Sequence, residues 1–179
     1  MSAAQAPRRR WAILATAMCA QFGAAALPLG MPTLRPFLRG EYRLSLAWLG
    51  ALLAVPTAGL AAASFAWGRL SDHVGERRVI MVGMGVAAAL LVAASAFPAD
   101  SAAFVGLLFG AGAAGAAAPA ASGRAVIGWF PVNERGLALS LRHTAPMAGG
   151  AAAAAILPAI ALAGGLRGAC LALAAFELA

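Results

Sequence analysis

The sequence predicts an all-α, polytopic membrane helix bundle, and three observations carry that expectation. Of 179 residues, 63% are hydrophobic and only 11% charged, with a mean hydropathy of +0.85. Soluble domains lie nearer half apolar and a quarter charged. Apolar runs of about 20 residues, the length that crosses a bilayer as a helix, recur along the chain, and the charge is gathered into short clusters between them.

Taken in order, residues 1–10 form a basic N-terminus ending in Arg8, Arg9 and Arg10, and 11–179 form the bundle. Spans are expected near Trp11–Pro32, Leu46–Trp67, Val79–Pro98, Ala102–Ile127 and Thr144–Gly164, with an incomplete sixth over 168–179. The basic head and apolar middle of the first run also resemble a secretory or twin-arginine signal. A cleaved signal hands over to a polar mature domain, whereas here four more apolar runs follow, which favours an uncleaved first helix.

The four tryptophans, Trp11, Trp48, Trp67 and Trp129, all fall at expected span ends, where the amphipathic indole ring meets the membrane surface. Trp48 and Trp67 bracket the second run at about 28 Å, close to the roughly 30 Å hydrocarbon core. Every basic residue other than histidine is arginine. Arg8, Arg9, Arg10, Arg69, Arg77, Arg78, Arg124, Arg135 and Arg142 fall on one side of the map, and Arg35, Arg39, Arg43 and Arg167 on the other. Short cytoplasmic loops keep positive charge, so a cell-membrane protein with a cytoplasmic N-terminus is expected.

The charge of +7 does not suggest nucleic acid, because no basic stripe with stacking aromatics accompanies it. Cys19 and Cys170 lie inside apolar runs and read as small core residues. His73 and His143 have no Cys, Asp or Glu at metal-ligand spacing, and no nucleophile elbow, phosphate loop or zinc signature occurs. The expectation is therefore a non-enzyme without cofactor or metal. As drawn, the spans hold no ionisable residue near their centres: Asp72, Glu76 and Glu134 fall on the cytoplasmic side, Glu41 and Asp100 outside, and Glu177 in the partial last run is left unassigned. Gln21 and Thr57 are the polar candidates for a mid-membrane substrate cavity. Gln21 serves equally well as a hydrogen-bonding glue between helices.

Lipid supplies no hydrophobic pull between helices, so close packing needs small residues. Gly106, Gly110, Ala114 and Ala118 form such a stripe in the fourth run, with Gly112 and Gly115 beside them; Gly83 and Ala87 serve in the third, and Gly149 and Gly150 in the fifth. Pro28, Pro32, Pro56, Pro119, Pro146 and Pro158 each remove a helical hydrogen bond, and kinked, glycine-rich spans suit a bundle that rocks.

Between the second and third runs lies "GRLSDHVGERR". It resembles the cytoplasmic loop between helices two and three of the major facilitator superfamily, matching at Gly68, Leu70, Asp72, Gly75, Arg77 and Arg78 and departing at Ser71, His73 and Glu76. "PAASGRAVIGWFPVNERGLALSLRHTAPMAGG" is similar to the family's helix-four end, following loop and helix-five start. Pro146, Gly149 and Gly150 resemble its helix-five glycine–proline motif, with Ala145 where that motif has glycine. Gly106 stands where the helix-four motif has arginine, so that arginine's proton-coupling role does not carry over.

The resemblance implies the N-terminal six-helix half of a transporter, with the sixth helix incomplete, moving a small solute by alternating access in secondary active or facilitative transport. It implies a conformational gate at Gly68, Asp72, Gly75, Arg77 and Arg78, and a helix-five hinge at Pro146, Gly149 and Gly150. The expected partners are an unknown small-molecule substrate, the lipid bilayer, and a C-terminal half or a second copy. A different class is a non-transporting membrane-embedded binding or scaffold protein, or a nonfunctional fragment.

Overall fold

The computed structural model describes residues 5–99 and 101–178, with side chains from Arg9 onward apart from Ala125. Asp100, expected on the outer side, lies outside the described residues. The elements are α1 (Gln5–Ala25), a π-helical turn (Ala26–Gly30), a 3-10 turn (Met31–Leu34), α2 (Arg35–Tyr42), α3 (Leu46–Val74), α4 (Glu76–Ala94), α5 (Ala102–Gly115), α6 (Ala117–Trp129) and α7 (Arg135–Glu177). No strand occurs among the described residues. Five helical stretches are long and apolar enough to cross a membrane: Arg9–Tyr42, Leu46–Val74, Glu76–Ala94, Ala102–Trp129 and Arg135–Glu177.

Prolines explain where these stretches deform. Pro28 and Pro32 fall in the π and 3-10 turns that join α1 to α2, because each lacks the N–H that would continue the α-ladder. Pro119 likewise cannot donate to Gly115, and the fourth stretch breaks at Ala116, between α5 and α6. Pro56, Pro146 and Pro158 are carried inside continuous helix.

Glycine explains the sharp corners. Gly75, with φ 88° and ψ 148°, is the entire connection between α3 and α4, in a region of backbone space that is essentially glycine's own. The expected loop is thus the last two turns of α3 plus one residue. Gly165, with φ 64° and ψ −164°, interrupts α7. A methyl placed on Gly168 would lie 3.3 Å from Ile160 Cγ2, whereas eight residues along a straight helix span about 12 Å. The chain therefore reverses at Gly165, giving two arms, 135–164 and 166–177.

Small residues set the packing. The principal contacts run between α3 and α5, α1 and α7, α4 and α5, and α4 and α7. A Cβ on Gly112 would strike the Pro56 backbone, one on Gly59 the Phe109 carbonyl, one on Gly149 the Phe22 carbonyl, and one on Gly83 the Ala117 methyl. The fourth stretch packs by Ala114 and Ala118 of the expected stripe and by Gly112 and Gly115 beside it, but not by the stripe's first two glycines. Gly106 meets nothing within 4 Å and Gly110 only Leu90, while Leu108, Ala111, Gly112, Ala114 and Gly115 are buried.

The largest apolar cluster, including Leu27, Leu34, Leu52, Leu91, Phe104, Leu108, Leu157 and Leu173, fills the half of the bundle away from Arg9 and Trp129. The other half has three smaller clusters and relies more on polar ties. Trp67 belongs to this packing: it lies against Val79, Ala117 and Ala121, and its Nε1–H donates to the Ala113 carbonyl at 2.7 Å. It is a tie between helices rather than an interface marker. Trp11, Trp48 and Trp129 are exposed. Cys170 is buried as expected, but Cys19 is exposed, because its side of α1 faces out of the bundle.

Candidate functional site

The residues of the "GRLSDHVGERR" segment cluster at the arginine-rich end of the bundle. Asp72, in the last turn of α3, pairs with Arg124 near the end of α6. Gly68, Arg69, Asp72, Pro119 and Arg124 line a cleft of about 490 Å³. A Cβ on Gly68 would meet nothing within 4 Å, so no helix among the described residues packs closely on it. Arg77 and Arg78, on the first turn of α4, are exposed and form no ion pair among the described residues. Nearby, Arg10 pairs with Glu134 at 3.1 Å, Trp11 meets Phe130 edge-on at 5.3 Å, and Arg9 lies 5.2 Å from the Trp129 ring centre. The start of α1 is thereby strapped to the link between α6 and α7.

A second site lies deeper. Gln21, Ala24, Pro28, Leu60, Pro119 and Pro146, drawn from four of the five long stretches, line a cavity of about 230 Å³. Gln21 is ten residues into the bundle from Trp11, about 15 Å by helical rise, half the thickness of a hydrocarbon core. Thr57, the other polar candidate, is exposed on α3 and is not brought together with Gln21. Gly149 and Gly150 pack on Phe22 and Leu29 of the first stretch. Around them and Pro146 the helix is continuous, and the non-helical point of α7 is Gly165.

Behind that cavity is a residue the sequence map misplaced. Arg142, expected on the cytoplasmic side, is only 5% exposed. Its Nε donates to Ser122 Oγ at 3.1 Å, and its Nη2 to Ser122 Oγ at 2.9 Å and to the Pro119 carbonyl at 3.0 Å. The Gln21 amide satisfies these neighbours only with its oxygen turned toward Arg142, and in that orientation it accepts from Nε at 2.7 Å and Nη2 at 2.8 Å. Gln21 is thus the inter-helix tie weighed from sequence, and it also borders the cavity. Hydropathy counted Arg142 as the end of a loop, whereas α7 begins at Arg135 and carries it two turns into the bundle. A clue was available: Arg142 lies one helical turn before Pro146, on the same stripe of what could be helix.

Glu177, left unassigned from the sequence, is also buried. It is 2% exposed, its Oε2 has no hydrogen-bond partner, and its Oε1 would lie 3.5 Å from a Cβ on Gly115. Gly115 is midway along the 28-residue fourth stretch. The bundle therefore does hold two ionisable side chains at mid-depth. Among the described residues no group of three or more His, Cys, Asp or Glu is placed to hold a metal.

Together these features define a polytopic helical membrane protein whose polar residues converge on an inner cavity and on one end of the bundle. The chain matches the Major Facilitator Superfamily over residues 11–179, and it belongs to that family. Two Mycobacterium tuberculosis proteins, from strains CDC 1551 / Oshkosh and ATCC 25618 / H37Rv, are each 38% identical over 153 residues, 85% of this chain. Both are described as uncharacterized MFS-type transporters, and the chain spans about a third (34%) of their length. No solved structure matches this chain significantly.

Proposed function

We propose that this chain forms one half of a carrier that moves a small solute across the cell membrane by alternating access, with its N-terminus in the cytoplasm. The observation that carries the reading is the mid-depth cavity lined from four separate helical stretches by Gln21, Pro28, Leu60, Pro119 and Pro146. Binding at the midplane between two halves, followed by rocking of one half against the other, is how secondary carriers work. Prolines on all four lining stretches, Pro28, Pro56, Pro119 and Pro146, put compliance next to the site. The related proteins from Mycobacterium tuberculosis, described as MFS-type transporters, support the same reading, and no chemistry on the chain calls for catalysis.

Asp72 and Arg124 act as the gate at the cytoplasmic end. Their ion pair closes α3 onto α6 inside this half and leaves the open side of Gly68 for a helix of the other half. Arg77 and Arg78 hold the turn in the cytoplasm by the preference of short inner loops for positive charge. Pro146 with Gly149 and Gly150 forms the hinge of the fifth stretch, transmitting movement from the cavity to α1. The test is substrate-dependent uptake into proteoliposomes by the full-length protein. Uptake lost in Asp72→Asn and partly restored by a compensating change at Arg124 supports the gate. Uptake that is unaltered in Asp72→Asn refutes it.

A further inference from the structure

We propose that α2 and the turn at Gly165 carry a binding surface for anionic phospholipid headgroups, at the end of the bundle remote from Arg9 and Trp129. Arg35, Arg39, Arg43 and Arg167 are set at that end, and all four are exposed. The preference of short inner loops for positive charge gathers most of the other arginines at the opposite end. It does not account for these four.

The packing of α2 turns its arginines outward. Leu34 and Leu38 are 1% and 0% exposed and belong to the main apolar cluster, with Phe37 and Tyr42 packed against it. Arg35 and Arg39 are four residues apart on the outward side, which makes their side chains neighbours, with Cβ atoms about 6 Å apart. Arg43 closes the helix with φ 48°. Leu166, the residue before Arg167, shares the cluster of Leu34 and Leu38, and α2 touches α7. No guanidinium of the four is neutralised within the described residues. The ion pairs there are Arg10–Glu134 and Arg124–Asp72, and Glu41, the acid of α2, is exposed and pairs with none of them. Nor does any of the four lie over an aromatic ring.

Depth decides what they meet. Arg35 is 24 residues beyond Trp11, about 36 Å by helical rise, just past the roughly 30 Å hydrocarbon core. Arg39 is one turn further on. The pair therefore lies in the headgroup layer, where the phosphates are. Exposed Trp48, in the first turn of α3, marks the same level independently, since indole rings favour that boundary. Two adjacent planar guanidiniums can grip the oxygens of one phosphodiester through charge-assisted hydrogen bonds, with Arg43 and Arg167 adding to the field. Exposed Leu29 and Leu46 flank the row in sequence and offer apolar surface to acyl chains. Free phosphate supplies the same oxygens without those chains, so the row together with its apolar flanks fits a lipid.

The experiment reads binding locally, because arginines at the opposite end also attract anionic lipid. Gly40 is exposed beside Arg39, and a Cβ there would meet nothing within 4 Å. Gly40→Cys, in full-length protein with Cys19 and Cys170 replaced by alanine, carries a fluorophore in vesicles of phosphatidylcholine and phosphatidylglycerol. Either lipid bears a nitroxide quencher near its glycerol, and quenching gives their relative affinity at α2. The expected preference for phosphatidylglycerol is about tenfold, lost in the double variant Arg35→Gln/Arg39→Gln and kept in Arg77→Gln/Arg78→Gln at the other end. Equal quenching by the two lipids overturns the proposal, as does a preference that survives the double variant. Sodium phosphate is compared with sodium chloride of equal ionic strength. A preference reduced equally by both salts supports the lipid site, and one abolished by phosphate alone assigns the row to a soluble anion and overturns it.

Discussion

Placing a methyl group on Gly112 tests the packing logic at its tightest point. Gly112 of α5 faces Pro56 of α3, and a Cβ there would overlap the Pro56 carbonyl oxygen and lie 2.7 Å from its carbonyl carbon and 2.8 Å from its Cα. All three are backbone atoms, so no rotamer change relieves the contact and the helices must separate. Overpacking costs about 1–3 kcal/mol, and rigid backbone on both sides puts Gly112→Ala near the top of that range. At 1.4 kcal/mol per tenfold, a loss of about 3 kcal/mol is roughly a hundredfold in the folding equilibrium. Gly106 is the internal control, since it lies in the same helix with nothing within 4 Å of its Cβ position. Gly106→Ala is expected to be neutral, or to stabilise by up to about 1 kcal/mol through helix propensity. Unfolding of the purified full-length protein in mixed micelles, titrated with a denaturing detergent, measures both. Equal stability of the two variants would refute the assignment of the α3–α5 interface.

Gly75→Ala and Gly165→Ala force alanine into glycine-only backbone and are each expected to cost about 1–3 kcal/mol in the same titration. Trp67→Phe removes the indole hydrogen bond to Ala113 while keeping an aromatic ring, so a loss of about 1 kcal/mol is expected, read as a lower melting temperature. Asp72→Asn, at an ion pair whose partners are 41% and 56% exposed, is expected to leave the melting temperature almost unchanged while abolishing uptake. Glu177→Gln removes the charge but keeps the shape and should preserve folding. Glu177→Lys places a long cation against Gly115 at mid-depth and should prevent it, as seen in expression level and gel-filtration profile.

The helices were legible because lipid imposes a blunt rule, about twenty apolar residues per crossing, that needs no knowledge of partners. Their ends were less so. Hydropathy stops where charge begins, but backbone hydrogen bonding does not: α3 continues through Asp72 to Val74, and α7 starts at Arg135, nine residues before the expected span. That extension carried Arg142 from an assumed loop into the bundle. Packing faces were half legible. Gly83, Gly149 and Gly150 contact neighbours as their spacing suggested, but two overlapping small-residue stripes exist in the fourth stretch, and sequence alone cannot tell which glycines turn inward. Gly112 won over Gly106 and Gly110 because Pro56 and Phe109 set the register with α3. Gln21 was recognised as polar and central, but its partner lay 121 positions away in sequence, beyond the reach of local pattern.

Accessibility of a single thiol in the cavity tests the central claim most directly. Leu60→Cys, in full-length protein with Cys19 and Cys170 replaced by alanine, places a reactive group on the lining beside Gln21 and Pro119. A membrane-impermeant maleimide is applied to one face of the membrane and then, separately, to the other. Alternating access predicts labelling from both faces, with the Asp72→Asn gate variant reacting faster from the cytoplasmic side and more slowly from outside. Labelling from one face alone, at the same rate in the parent and in Asp72→Asn, would contradict the account.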